Sequence, residues 1–98
     1  MQHVAYHRLA ARELVASAKY YERRCPGLGD EFLDAVESAT LDLRAHPEAG
    51  RREPHRASSW RIARFPYRLF YTAQPDRIWI VAVAHLSRRP GYWLRRMT

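Results

Sequence analysis

The chain has a single cysteine, Cys25, which excludes an internal disulfide and leaves no thiolate cluster for a structural metal. Cys25 itself reads as a half-buried small hydrophobe. Lysine is equally scarce, with Lys19 standing against sixteen arginines. No apolar run approaches the roughly eighteen residues that a membrane crossing needs. The opening residues MQHVAYHRLAARE carry neither the apolar stretch nor the cleavage site of a signal peptide, so a cytoplasmic protein with no membrane partner is expected. His3, His7, His46 and His55 show no ligand spacing of the His-Glu-x-x-His kind, and neither a metal site nor a cofactor is expected. There is no internal repeat and no low-complexity segment.

What is present points to one small folded domain spanning residues 1–98, marginal in stability because so short a chain buries a limited share of its surface. A hydrophobic share of 47% with three Trp, six Tyr and three Phe supplies a core and argues against disorder. The net charge of +7 is unevenly placed. Residues 1–50 hold six basic and eight acidic side chains, whereas residues 51–98 hold eleven basic and two acidic. The second half is therefore a cationic surface suited to a polyanion, either nucleic-acid phosphate or an acidic protein segment.

Hydrophobic periodicity divides the chain. Gln2 to Arg8 alternates as a short strand. From Leu9 the period becomes helical, with Ala11, Leu14, Ala18 and Tyr21 on one face and Arg12, Glu13, Lys19 and Arg23 on the other. Cys25-Pro26-Gly27 ends that helix. A second begins near Gly29-Asp30, with Asp30 as the expected N-cap, buries Phe32, Val36, Ala39 and Leu43, and closes at His46-Pro47. So short a link implies an antiparallel αα-hairpin. Residues 47–59 read as a basic loop. Strands are expected over Trp60–Phe65, Tyr67–Ala73 and Arg77–His85, forming an antiparallel sheet beneath the hairpin with the first strand at an edge. IWIVAVA, apolar on both faces, reads as the central strand, and Leu86–Thr98 as a tail folding back in a turn or short helix. Tyr20, Tyr21, Trp60, Tyr67, Phe70, Tyr71 and Trp79 read as packing residues. The fold class is α+β.

Five segments, in order and across the whole chain, resemble one family. AARELVASAKYYE, GLGDEFLDAV, RAHPEAG, RFPYRLFY and VAVAHLSRRPGYW are similar to successive parts of ParE/RelE-superfamily toxins, nearest the ParE-like, plasmid-stabilisation branch. The resemblance implies the toxin of a type II toxin–antitoxin system. It also implies a cognate antitoxin whose C-terminal segment wraps the toxin. An acidic amphipathic segment would complement the cationic half, and Arg51, Arg52, Arg56, Arg61 and Arg68 are the candidate antitoxin contacts.

Two activities sit on this fold, so fold alone does not choose between them. RelE-like members cleave messenger RNA on the ribosome, and ParE-like members inhibit DNA gyrase. Metal-independent cleavage at a 2′-hydroxyl needs a base, a cation for the phosphorane charge, and an acid for the leaving oxygen. Arg64, His85, Arg88 and Tyr92 are the residues that would supply them. Against this, a histidine at a strand end often only bonds the backbone of the following turn, lysine is absent after Lys19, and the tail resembles the ParE-like pattern. No residue is therefore assigned firmly as catalytic, and the resemblance favours gyrase inhibition. Arg88, Arg89, Tyr92, Trp93, Arg95 and Arg96 are the candidate target contacts. For Tyr92 and Trp93 two roles stay open: clamping the tail onto the sheet, or anchoring a partner.

Overall fold

A computed structural model describes residues 2–97. Met1 and Thr98, which fall in the expected domain and tail, lie outside the described residues. Strand β1 (His3–Tyr6) leads into helix α1 (Arg8–Arg24) and helix α2 (Leu28–Ala45). A 3-10 turn (Pro47–Ala49) and strands β2 (Arg51–Arg52), β3 (Ser58–Arg61), β4 (Tyr67–Ala73) and β5 (Arg77–His85) follow, and a 3-10 turn over Leu94–Met97 ends the tail. The five strands form one sheet in the order β1-β5-β4-β3-β2.

The helical hairpin covers one face of that sheet. Phe32, Val36, Ala39 and Leu43 from α2 are buried against Leu69, Tyr71, Ile78 and Ile80, with Leu14, Ala18 and Tyr21 from α1 packed alongside. Tyr21, Phe32, Phe65 and Tyr67 meet at ring-centroid distances of 4.9–6.2 Å, most of them edge to face, the arrangement the ring quadrupoles favour. Tyr20, expected in this packing, instead stands 50% exposed beneath the Arg24 guanidinium. Cys25 is also exposed, because it lies in the turn after α1 rather than on its packed face.

The start of α2 differs from expectation. The cap position is Gly27 (φ +90°) rather than Asp30, and it offers no side chain to the helix. Glu22 of α1 reaches across instead, its carboxylate accepting from the Gly27 and Gly29 amides at 3.0–3.1 Å. One carboxylate thereby satisfies two amide donors and locks the two helices together. Asp30 sits in the first turn, where its charge still suits the helix dipole.

The sheet is mixed rather than wholly antiparallel. β1 pairs parallel with β5, from His3 opposite Arg77 to Tyr6 opposite Ile80, and it does form an edge. β5 lies inside the sheet between β1 and β4, while β4 takes the middle position. The expected strand Trp60–Phe65 is shifted to Ser58–Arg61. Pro66 has no amide to donate and Arg64 adopts φ +73°, so the chain leaves the extended conformation after Arg61. The Arg61 guanidinium gathers the carbonyls of Ile62, Phe65 and Tyr67 around the resulting loop. The basic loop itself contains β2, whose Arg51 and Arg52 pair antiparallel with Ser59 and Ser58.

A bulge explains why IWIVAVA is apolar throughout. Opposite Phe70 and Tyr71 stand Ala82 and Ile80, leaving Val81 as an extra residue in β5. The inward parity changes there: Ile78 and Ile80 face the helices, as does Val83. Val81, Ala82 and Trp79 join a second cluster on the other side of the sheet with Trp93, Phe70, Leu94 and Met97. The tail is the second covering layer.

Candidate functional site

The tail reaches its place through a run of turns after β5. Leu86 N–H bonds Pro66 O at 2.8 Å, Arg88 N–H bonds His85 O, and Gly91 takes φ +77°, a left-handed conformation that glycine adopts without penalty. Trp93 then packs on Phe70 with centroids 4.8 Å apart and only 2% of its surface exposed. Between the two possible roles for Trp93, the geometry places it in the clamp.

Glu13 of α1 anchors this arrangement. Its carboxylate accepts from both terminal nitrogens of Arg96 at 2.9 Å, from the Tyr92 hydroxyl at 2.8 Å, and from the Val83 amide at 3.1 Å. Burial pushes the Glu13 carboxyl up, and the hydrogen bonds from Arg96, Tyr92 and Val83 outweigh it, holding the group below the usual glutamate range. Burial raises the Tyr92 phenol, and its bond to the Glu13 carboxylate raises it further, so the hydroxyl stays a proton donor to that carboxylate. Arg96 is stabilised in its charged form, chiefly by the Glu13 hydrogen bonds. Periodicity placed Glu13 on the polar flank of α1, and nothing near it in sequence signals partners in the tail.

Beside the clamp lies a cavity of about 360 Å³ on the sheet face away from the helices. Arg68, Phe70 and Ala84 line it from the sheet, Arg51 and Glu53 from the β2 side, and His85, Arg88, Arg89, Tyr92 and Trp93 from the strand end and tail. Arg51 from β2, Arg68 from β4, and Arg88 and Arg89 from the turn after β5 thus meet in one place although far apart in sequence. Arg51 is held by Glu53 at 2.8 Å, and the same carboxylate accepts from the buried Ser59 hydroxyl at 2.7 Å. Arg68 donates to Ser59 Oγ at 2.9 Å, and burial together with the neighbouring Arg51 charge lowers its pKa. The Arg88 guanidinium lies 3.8 Å from the centroid of the Tyr92 ring and 3.9 Å from Glu13.

The four residues considered for RNA cleavage are only partly brought together. His85, Arg88 and Tyr92 line the cavity. Arg64 does not, because its guanidinium is turned to Glu31 in the first turn of α2, at 2.7 Å. His85 packs on Tyr67 at 5.2 Å, and its Nδ1 accepts from the Ser87 amide at 3.0 Å, fixing the turn that follows β5. Among the remaining candidates, Arg52 and Arg56 are exposed, Arg61 is committed to its loop, and Arg95 is exposed beside a shallow depression with His55, Leu94 and Met97. Among the described residues no group of three His, Cys, Asp or Glu side chains is placed to hold a metal ion.

A family model described as the ParE toxin of the type II toxin-antitoxin system, parDE, matches residues 4–90. The chain belongs to the ParE toxin family. The match runs from β1 through the helical hairpin and sheet into the turn that carries Arg88 and Arg89, so most of the cavity lining lies within the ParE-matched region, with Gly91, Tyr92 and Trp93 just beyond it. Among solved structures, the ParE-type fold is similar to a chain from "Chromosomal ParDE TA system from P. aeruginosa". That similarity has a TM-score of 0.66 and 21% identity over 87% of this chain and 96% of the other. No curated protein sequence matches. This ParE chain is accordingly the toxin component of a type II toxin–antitoxin system. No helix among the described residues is long and apolar enough to cross a membrane.

Proposed function

We propose that this toxin arrests growth in the cytoplasm by inhibiting DNA gyrase, and that a cognate acidic antitoxin holds it inactive. The observation that carries the choice of target is the prior engagement of the groups an RNA-cleaving site would need. Arg64 is paired with Glu31 on α2, the Tyr92 hydroxyl is spent on Glu13, and His85 Nδ1 is bonded to the turn after its strand. A phenol raised by burial and by a carboxylate neighbour is a poor acid for a leaving oxygen. Membership of the ParE family supports the same reading. For target contact, Arg88, Arg89 and Arg95 present guanidinium groups on the outside of the tail, whereas Trp93 and Arg96 support them from within. For the antitoxin, Arg52 and Arg56 offer exposed charge with no partner among the described residues.

Supercoiling by purified gyrase in the presence of refolded toxin tests the target. Inhibition is expected, with induction of the DNA-damage response in cells. Unimpaired supercoiling together with codon-phased cleavage of translated messages would replace this reading with that of a ribosome-dependent endoribonuclease, to which the shared placement of His85 and Arg88 in one cavity lends its support. Co-expression with the adjacent gene product tests the antitoxin. Relief of growth arrest and co-purification of the two chains are expected.

A further inference from the structure

Three separate segments deliver guanidinium groups to the cavity behind the sheet: Arg51 from β2, Arg68 from β4, and Arg88 with Arg89 from the turn after β5. The one carboxylate in its wall, Glu53, is already engaged by Arg51 and by the Ser59 hydroxyl. Arg89 has no hydrogen bond or ion pair among the described residues, and Arg68 hydrogen-bonds only a neutral hydroxyl, with the Glu53 charge nearby already shared with Arg51. Like charges gathered on a concave, partly desolvated surface repel one another more strongly than on an open one; at Arg68 burial, and after it the Arg51 charge, disfavours the charged form, with the Glu53 charge opposing. An external anion would remove that cost.

Shape and chemistry narrow the anion. Donors converging from three elements onto one recess suit a compact group with several oxygens, since one phosphate can bridge guanidiniums that an extended row of carboxylates would meet singly. A recess bounded by the β2 segment and the tail admits a single strand more readily than the broad surface of a duplex. The aromatic faces are already taken, Phe70 by Trp93 and Tyr92 by Arg88, so base stacking adds little and the phosphate supplies the binding. We propose that this cavity is a phosphate-binding site that holds a terminal or internal phosphate of a single-stranded nucleic acid. The site shares Arg88 and Arg89 with the proposed target contact, and its binding is measured without gyrase so that the two readings fail separately.

The test is fluorescence anisotropy of a 3′-labelled single-stranded hexanucleotide, with and without a 5′-phosphate, titrated with the refolded full chain in the absence of gyrase and antitoxin. Arg68→Gln and Arg89→Gln should each weaken binding on the order of five- to tenfold and reduce the salt dependence by about 0.7 in log–log slope. Arg23→Gln, an exposed charge on α1 in the layer over the opposite sheet face, should change affinity less than about twofold. Inorganic phosphate should compete. A gain from the 5′-phosphate assigns the site to strand ends, and equal binding without it assigns the site to the backbone; either supports the proposal. Arg89 has no partner to lose, so Arg89→Gln reports binding even where Arg68→Gln disturbs the sheet, and thermal melts identify that case. The proposal is overturned if Arg23→Gln costs as much as Arg89→Gln. It is overturned also if a glutamate-rich peptide of equal charge displaces the oligonucleotide at lower concentration than inorganic phosphate and a competing oligonucleotide do.

Discussion

Arg96 grips the Glu13 carboxylate through two hydrogen bonds of 2.9 Å, joining the tail to α1 across 83 residues of sequence. The pair also completes the sheet. β1 stops opposite Ile80, so the outer edge of β5 beyond it would be unpaired, and there Arg96 donates to Val81 O while Glu13 accepts from Val83 N. With side chains 11% and 16% exposed, this is an ion pair whose partners cannot readily turn to water. Glu13→Ala should therefore destabilise the fold by about 3 kcal/mol, because it leaves a guanidinium, a phenol and an amide without their acceptor. Urea unfolding of the refolded toxin measures it, and Glu13→Gln, which keeps one acceptor oxygen, should lose less.

The same carboxyl makes stability depend on acid. Its folded pKa lies below the unfolded value of 4.5, so the folded chain binds fewer protons than the unfolded chain in that window. The stabilisation is fully present above about pH 4.5 and is lost as pH falls through the depressed folded value. Melting temperature should decline across that acid range in the wild type, and the part of the decline owed to this group should be missing in Glu13→Gln.

Trp93 carries the tail's apolar share. Replacing it with alanine removes the ring from Phe70 and should cost about 3–5 kcal/mol, with Trp93→Phe recovering a good part. If the tail presents the target contacts, supercoiling inhibition should fall with it. Near-ultraviolet circular dichroism at matched concentrations shows whether the loss tracks the unseating of the tail.

The hairpin has its own tight point at Gly29. A Cβ there would stand 2.7 Å from the backbone oxygen of Ala18, which cannot swing away as a side chain can. Gly29→Ala should push α1 and α2 apart and cost about 1–3 kcal/mol, read as a lower urea midpoint.

Arg64 supplies a contrast. Its pair with Glu31 is exposed on both sides, at 66% and 49%, and a pair of that kind is worth at most about 1 kcal/mol. Arg64→Ala should therefore leave stability nearly unchanged and growth arrest intact. A loss of arrest without a loss of fold would return Arg64 to the reacting centre.

Local pattern was enough for the elements that bury a stripe. The i, i+4, i+7 and i+11 positions of Phe32, Val36, Ala39 and Leu43 specify the packed face of α2, and Val36 or Leu43 would have nowhere else to go. The same holds for β4 and β5, whose lengths of apolar and alternating sequence match the strands observed. β2 was not legible, since two arginines have no periodicity and become a strand only because Ser58 and Ser59 offer a partner edge. Val81 as a bulge was hidden for a related reason: an unbroken apolar run looks the same whether or not its parity changes midway. Charge segregation identified the cationic half of the chain but not its shape. Arg51, Arg68, Arg88 and Arg89 share a cavity because β2, β4 and the tail turn converge there, and the tail is held in place by Glu13, a residue on the first helix. Sequence alone determined the buried stripes of α2, β4 and β5, because burial there follows from side-chain chemistry at regular spacing. Only the tertiary structure decided which charges meet, because contacts between distant segments depend on topology and register, which no local pattern encodes.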